Sequence, residues 1–234
     1  MSPETQSITY DKRVATVVGG RGQLGQRIVK GLEDLGLRDV RVCEEGDSFT
    51  DAIRRSTDLF LAVDGDLARD MLESARDIIR DQKPSVLDGA SVKSGLITVY
   101  REFDNFGISV CSTHLGANPT QHWRGVKVWV CEVGPNSGRA KRLALDLFIA
   151  KNTSIQQIDI EEHQNVEQVQ WFTFAIMHTF AAALRKCGLP LERFNPFATL
   201  NAELATLPLG RTLGQGTGVP SEVLHSQPRR REFF

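Results

Sequence analysis

Short apolar runs alternate with amphipathic stretches along most of the chain. Residues 14–18 (VATVV), 39–43 (DVRVC), 58–63 (DLFLAV), 85–88 (SVLD), 108–111 (ISVC) and 126–132 (VKVWVCE) read as strands, with another near 154–160. After the first of these, Leu24, Ile28, Val29, Leu32 and Leu35 recur at helical spacing, and Gly36 supplies a stop. Residues 66–80 place Leu67, Met71, Ala75, Ile78 and Ile79 on one helical face, and a further helix is predicted at about 137–150. Apolar strands this short, separated by helices, belong to a parallel sheet covered on both faces. The pattern changes near 152–160: residues 161–187 read as one long helix and 190–206 as a second. The expected architecture is an α/β domain over 1–155 and a smaller all-helical domain over 156–234. Its end, from Gly214 on, is rich in Gly, Pro and charge and reads as a tail.

Successive residues of the long helix turn by about 100°. Val166, Val169, Thr173, Ile176, Phe180 and Ala183 form one stripe. His163, Glu167, Gln170, Trp171, Phe174 and His178 form a second. A solvated face would carry more Lys and Glu. The second face is therefore expected to meet a pocket or another domain, the alternative being a helix buried on two sides within an oligomer.

Composition narrows the classes. Of 234 residues, 41 % are hydrophobic, enough for a core, and the net charge of −1 argues against a general nucleic-acid binder. No apolar run approaches the roughly 18 residues of a membrane helix, and the start, MSPETQSITYDKR, has no apolar leader segment. A cytoplasmic protein without a membrane partner is expected. Cys43, Cys111, Cys131 and Cys187 are widely spaced, with no CxxC and no Cys/His cluster. They read as free thiols, the first three buried, and no metal site is expected.

The run from Gly20 to Gly25 (Gly20, Arg21, Gly22, Gln23, Leu24, Gly25) fits G-x-G-x-x-G, and it lies where the motif has meaning, after a strand and opening a helix. Its glycines allow a tight turn, close approach of backbone to a pyrophosphate, and close helix–strand packing, while the helix start favours the anion. The α/β domain is thus expected to be of Rossmann type. Glu44 follows the second strand, where a carboxylate accepts from ribose hydroxyls and repels a 2′-phosphate, so NAD is favoured over NADP. Glu45 is adjacent but should point the other way, and Arg41 weighs slightly toward NADP.

Two further segments stand at strand ends, where ligands of open α/β sheets collect. In DGASVK, Ser91 either presents its hydroxyl to the crevice or caps the following helix. In CSTHLGANP, His114 sits where a strand is expected to give way to a loop. It is either a base for a substrate hydroxyl or a packing histidine.

Taken in order, these segments resemble the prephenate dehydrogenase family, which includes arogenate and 4-amino-4-deoxyprephenate dehydrogenases. VVGGRGQLGQ is similar to its glycine turn, Val42-Cys43-Glu44 to its strand ending in an acid, and LDGASVKSGL to its Asp-x-x-Ser-x-Lys segment. His114 with Pro119 resembles its His-Pro-x-x-Gly-Pro segment, Glu162-His163-Gln164 its Glu-His-Asp segment, and Gly210-Arg211 a late Gly-Arg segment. The resemblance implies NAD-dependent oxidative decarboxylation of a cyclohexadienol, in aromatic amino-acid (tyrosine) or related biosynthesis. It implies that His114 accepts the ring hydroxyl proton, and that Ser91 bonds the hydroxyl and orients His114. His163 and His178 would line the substrate pocket, Arg211 would pair with a substrate carboxylate, and the helical domain would form a homodimer. This chain has Leu115 where the family has proline after the histidine, Asn118 before Pro119, and Asp64 near a common proline. A non-catalytic, NAD-binding regulatory member of the family is the alternative, and a reductase of an unrelated carbonyl is a third.

Overall fold

The computed structural model describes residues 10–188. The chain divides into two compact units, residues 1–163 and 164–234. The predicted helix at 190–206, the tail and Arg211 lie outside the described residues.

The first unit runs β1 (Val14–Val18), α1 (Gln23–Asp34), β2 (Asp39–Cys43), α2 (Phe49–Arg54), β3 (Asp58–Leu61), α3 (Gly65–Ser74), α4 (Arg76–Gln82), β4 (Ser85–Asp88), α5 (Ile97–Asn105), β5 (Val110–Leu115), β6 (Lys127–Glu132), α6 (Gly138–Ala150) and β7 (Ser154–Asp159). The strands form one seven-stranded sheet in the order β2-β1-β3-β4-β5-β6-β7. Strands β1 to β5 are mutually parallel, joined by helical crossovers. Strand β6 runs antiparallel to β5 and parallel to β7. The link between β5 and β6 contains no helix to carry the chain back, so the direction reverses there.

Alternating side chains serve two cores. On one face Leu59, Leu61, Val86 and Val110 pack against Ile53, Leu72, Ile79, Tyr100 and Phe103 of helices α2 to α5. On the other, Val17, Leu87, Cys111 and Val130 pack against Ile28 and Leu32 of α1 and Leu143, Leu147 and Phe148 of α6. Adjacent Val86 and Leu87 serve opposite faces, as the pleat requires. Cys43, Cys111 and Cys131 are buried and Cys187 is exposed, and none of the four is in a disulfide.

Helix α1 ends as its sequence indicates. Gly36, at φ +92°, donates to Glu33 at 2.9 Å while Leu37 donates to Leu32 at 3.1 Å, a Schellman closure. The single helix expected over 66–80 is instead two, α3 and α4. The Ser74 hydroxyl bonds back to the Met71 carbonyl at 2.8 Å, and Ala75 leaves helical geometry at φ −104°, ψ 12°. Asp64 caps α3, accepting from the Leu67 amide at 2.9 Å. Helix α2 is too short for its periodicity to register in the sequence.

Strands β2 and β7 form the sheet edges. Ser154, Gln156, Gln157 and Asp159 of β7 are exposed, and on β2 Arg41 is paired with Asp39 at 2.6 Å.

Helix α7 (His163–Lys186) carries the chain into the second unit. Its buried positions include Glu167 and Leu184, whereas Val169, Phe172, Ile176 and His178 are exposed. The apolar stripe of the sequence is therefore largely uncovered at Val169, Thr173, Ile176 and Ala183, while the start of the other face is buried. The helix stops where Gly188, at φ +69°, donates to the Arg185 carbonyl at 3.1 Å. Among the described residues no helix is long and apolar enough to cross a membrane.

Candidate active site

At the carboxyl end of β1 the chain turns through Gly19 to Gly22 and enters α1. The Gly22 amide closes the turn on the Gly19 carbonyl at 3.0 Å. A Cβ on Gly25 would lie 2.1 Å from the Gly19 oxygen, so only glycine lets the helix come this close to the strand. Helix α1 has no side-chain cap and no acid in its first turn, and Arg21, Gly22 and Gln23 are exposed. The first-turn amides of α1 therefore meet no capping side chain and no first-turn acid, and the helix dipole favours an anion there.

Glu44 follows the last residue of β2. The Arg21 amide donates to its Oε1 at 2.7 Å, and its own amide donates to Asp47 Oδ2 at 2.8 Å. A carboxylate is thereby fixed beside the glycine turn. Arg41, which the sequence weighs toward a 2′-phosphate, is engaged by Asp39 through Nε at 2.8 Å and Nη2 at 2.6 Å. Each holds the other in its charged form: the hydrogen bond to Arg41 lowers the Asp39 pKa, and the bond to Asp39 raises that of Arg41.

A second group of polar residues lies along the same sheet edge. Parallel strands β1, β3, β4 and β5 end on this side, and β5 stands three strand spacings from β1, about 14 Å. Asp88 closes β4 and is fully buried, as is Lys93 five residues on. The Lys93 ammonium bonds Asp88 Oδ1 and donates to the Thr113 carbonyl at 2.9 Å. Asp88 Oδ1 also accepts from the Ala90 amide at 2.9 Å, and the Thr113 hydroxyl donates to the Asp88 carbonyl at 2.6 Å. Burial, and then the Asp88 charge, push the Tyr100 phenol well above its ordinary pKa, keeping it protonated.

His114 is 2 % exposed. It sits opposite Trp129 of β6, with ring centroids 5.2 Å apart, and its Nδ1 lies 2.8 Å from Nε2 of the buried His163. Burial lowers the His114 pKa well below its ordinary value, and His163 and the Lys93 ammonium lower it further. The imidazole is thus neutral at pH 7, the form that can accept a proton.

Two details differ from the sequence expectations. His114 lies within β5, which continues to Leu115, rather than at a strand–loop boundary. Pairing of Leu115 with Val128 of β6 carries the strand onward. Ser91 is not a helix cap, because α5 begins at Ile97 after Leu96; Ser91 lies half-buried in the preceding loop. His163 contacts His114, whereas His178 is exposed on α7. Asp88 and Lys93 entered the sequence reading only as members of the Asp-x-x-Ser-x-Lys segment, with no role of their own, and Trp129 only as part of a strand. A signal existed for the first two: an acid closing a fully buried strand, followed within a turn's reach by a lysine.

The parallel strands with helical crossovers and the glycine turn are those of a Rossmann-like α/β fold, with a single strand, β2, outside β1 and a helical region after the sheet. No family model matches the chain, and no curated protein matches it. Solved structures do. Prephenate dehydrogenase from Aquifex aeolicus in complex with hydroxyphenyl propionate and NAD+ matches with a TM-score of 0.61 at 15 % identity, over 98 % of this chain and 83 % of that one. An imine reductase from Myxococcus stipitatus in complex with NADP+ matches at 0.60 and 18 % identity, over 86 % and 76 %. A 3-hydroxyisobutyrate dehydrogenase from Mycobacterium tuberculosis with L-serine matches at 0.57 and 11 % identity, over 94 % and 90 %. The chain shares its fold with all three.

Proposed function

We propose that the protein is an NAD-dependent oxidoreductase of the prephenate dehydrogenase type, acting on prephenate, arogenate or 4-amino-4-deoxyprephenate. The observation that carries the reading is a buried, neutral imidazole, His114, on the sheet edge that also bears an uncapped glycine turn with a carboxylate fixed beside it. Solved neighbours with NAD+ or NADP+ support a nicotinamide dinucleotide as cofactor.

The residues present fit that group. Arg21, Gly22 and Gln23 are exposed at the start of α1 and Gly22 has no side chain, so backbone can approach a diphosphate closely, while Gly25 lets the helix lie close to β1. Glu44 would hold the ribose hydroxyls, and its charge, with Arg41 neutralised by Asp39, favours NAD over NADP. NAD supplies the hydride acceptor. His114 would take the proton of the ring hydroxyl, or of the ring amine in the 4-amino analogue, Ser91 would bond that group, and loss of CO2 on oxidation would leave an aromatic ring. His163, His178 and Arg211 are the proposed substrate-binding residues, a guanidinium suiting a carboxylate. Residues 1–155 form the dinucleotide-binding domain in this reading. Residues 156–234 form a helical domain that pairs two copies, which would cover the exposed Val169, Phe172 and Ile176. The setting is the cytoplasm and the role is in aromatic amino-acid or related biosynthesis.

The test is NADH formation, followed by absorbance, with the three cyclohexadiene substrates in parallel. Turnover of one supports the reading. NAD binding without turnover of any points to the non-catalytic alternative, and NADH oxidation with an imine or carbonyl points to a reductase.

A further inference from the structure

His114 Nδ1 and His163 Nε2 are 2.8 Å apart, and both rings are buried. Both residues belong to the first unit. A neutral imidazole carries one N–H and one lone pair, so this contact needs one ring as donor and the other as acceptor. The contact engages Nδ1 of His114 and therefore governs what Nε2 can do. If Nδ1 donates, Nε2 bears a lone pair and can take a proton. If Nδ1 accepts, Nε2 bears the hydrogen and can take none. A free histidine side chain favours the Nε2–H form, which is the wrong one for a base acting through Nε2.

We infer that His163 is a positioning residue: its Nε2 accepts from His114 Nδ1–H and holds His114 in the tautomer whose Nε2 can receive a proton. This rests on the proposed function, and it assigns His163 a part distinct from contact with substrate. The surroundings make the arrangement effective. Neighbouring Lys93 opposes a positive charge on His114, and so does burial. The ring thus stays neutral, and the choice between its two neutral forms decides whether it is competent. Trp129 packs on the ring from β6 at an interplanar angle of 41°, and His163 packs on it at 51°, so both restrain its orientation.

The test is a long-range proton–nitrogen correlation spectrum of the full chain labelled with nitrogen-15 histidine, with His114 assigned by its loss in His114→Gln. The expected spectrum shows His114 protonated at Nδ1 and bare at Nε2. In His163→Leu the Nε2–H form grows, and kcat falls at least about tenfold with dinucleotide affinity unchanged. In His163→Gln, whose Oε1 accepts at similar reach, the Nδ1–H signal and most of kcat return. An Nε2–H signal for His114 in the unaltered protein overturns the inference, as does an unchanged tautomer in His163→Leu. The spectrum needs no substrate. An Nδ1–H result without turnover of any of the three substrates therefore overturns the functional reading while supporting the role of His163.

Discussion

The backbone amide of Arg21 donates to Glu44 Oε1 at 2.7 Å, latching the acid that follows β2 to the turn that follows β1. The carboxylate is fixed before any ligand arrives. Replacing it in Glu44→Ala is expected to raise the KM for NAD about tenfold or more, the scale of one lost charged hydrogen bond, and to narrow the preference over NADP. Initial rates with both cofactors check this.

His114→Gln removes the proton acceptor and leaves the glycine turn intact. Turnover is expected to fall by at least about 10²-fold while the dissociation constant for NAD stays the same. Stopped-assay rates and cofactor fluorescence titration measure the two separately.

Stability should carry the mark of the same imidazole. In the folded chain burial holds the His114 pKa well below the ordinary 6.5, whereas in the unfolded chain it regains that value. The unfolded state thus binds the extra proton first. The contribution of a neutral His114 is complete above pH 6.5 and is lost as pH falls through the folded pKa. Urea unfolding across this range should show a shallower acid loss in His114→Leu.

Lys93→Met leaves the Asp88 carboxylate buried without its ammonium, an expected loss of about 3–5 kcal/mol. The double change Lys93→Met, Asp88→Leu removes both charges and should recover much of that. Chemical denaturation of the two variants decides the matter.

Gly25→Ala places a methyl group 2.1 Å from a backbone oxygen, where no flexible side chain can yield. Helix α1 must shift outward, with an expected destabilisation of about 1–3 kcal/mol and loss of dinucleotide binding. Thermal melts with and without NAD report both effects.

The strands were legible because each is a short apolar run bounded by turn residues, and Gly36 could be read as a stop because only glycine takes that φ cheaply. The true length of β5 was not legible. Ser112, Thr113 and His114 join the strand through pairing with Cys131, Val130 and Trp129 of β6, a partner supplied from elsewhere in the chain. The break at Ala75 was hidden because Met71, Ala75 and Ile79 keep the helical spacing across it. The place of Glu44 after β2 follows from motif spacing, but its bond to the Arg21 amide does not. The burial of Lys93 does not, since a lysine in a polar, glycine-containing segment reads as solvated until the sheet places Asp88 beneath it.

The two outer strands bear on how the molecule behaves in a crowded solution. Open backbone along β2 and β7 would otherwise offer a template for strand addition from a neighbour. Arg41 and Asp39 on one border, and Asp159 on the other, make that addition unfavourable. Self-association by sheet extension is thereby discouraged, and the risk of fibril-like stacking falls even at high expression.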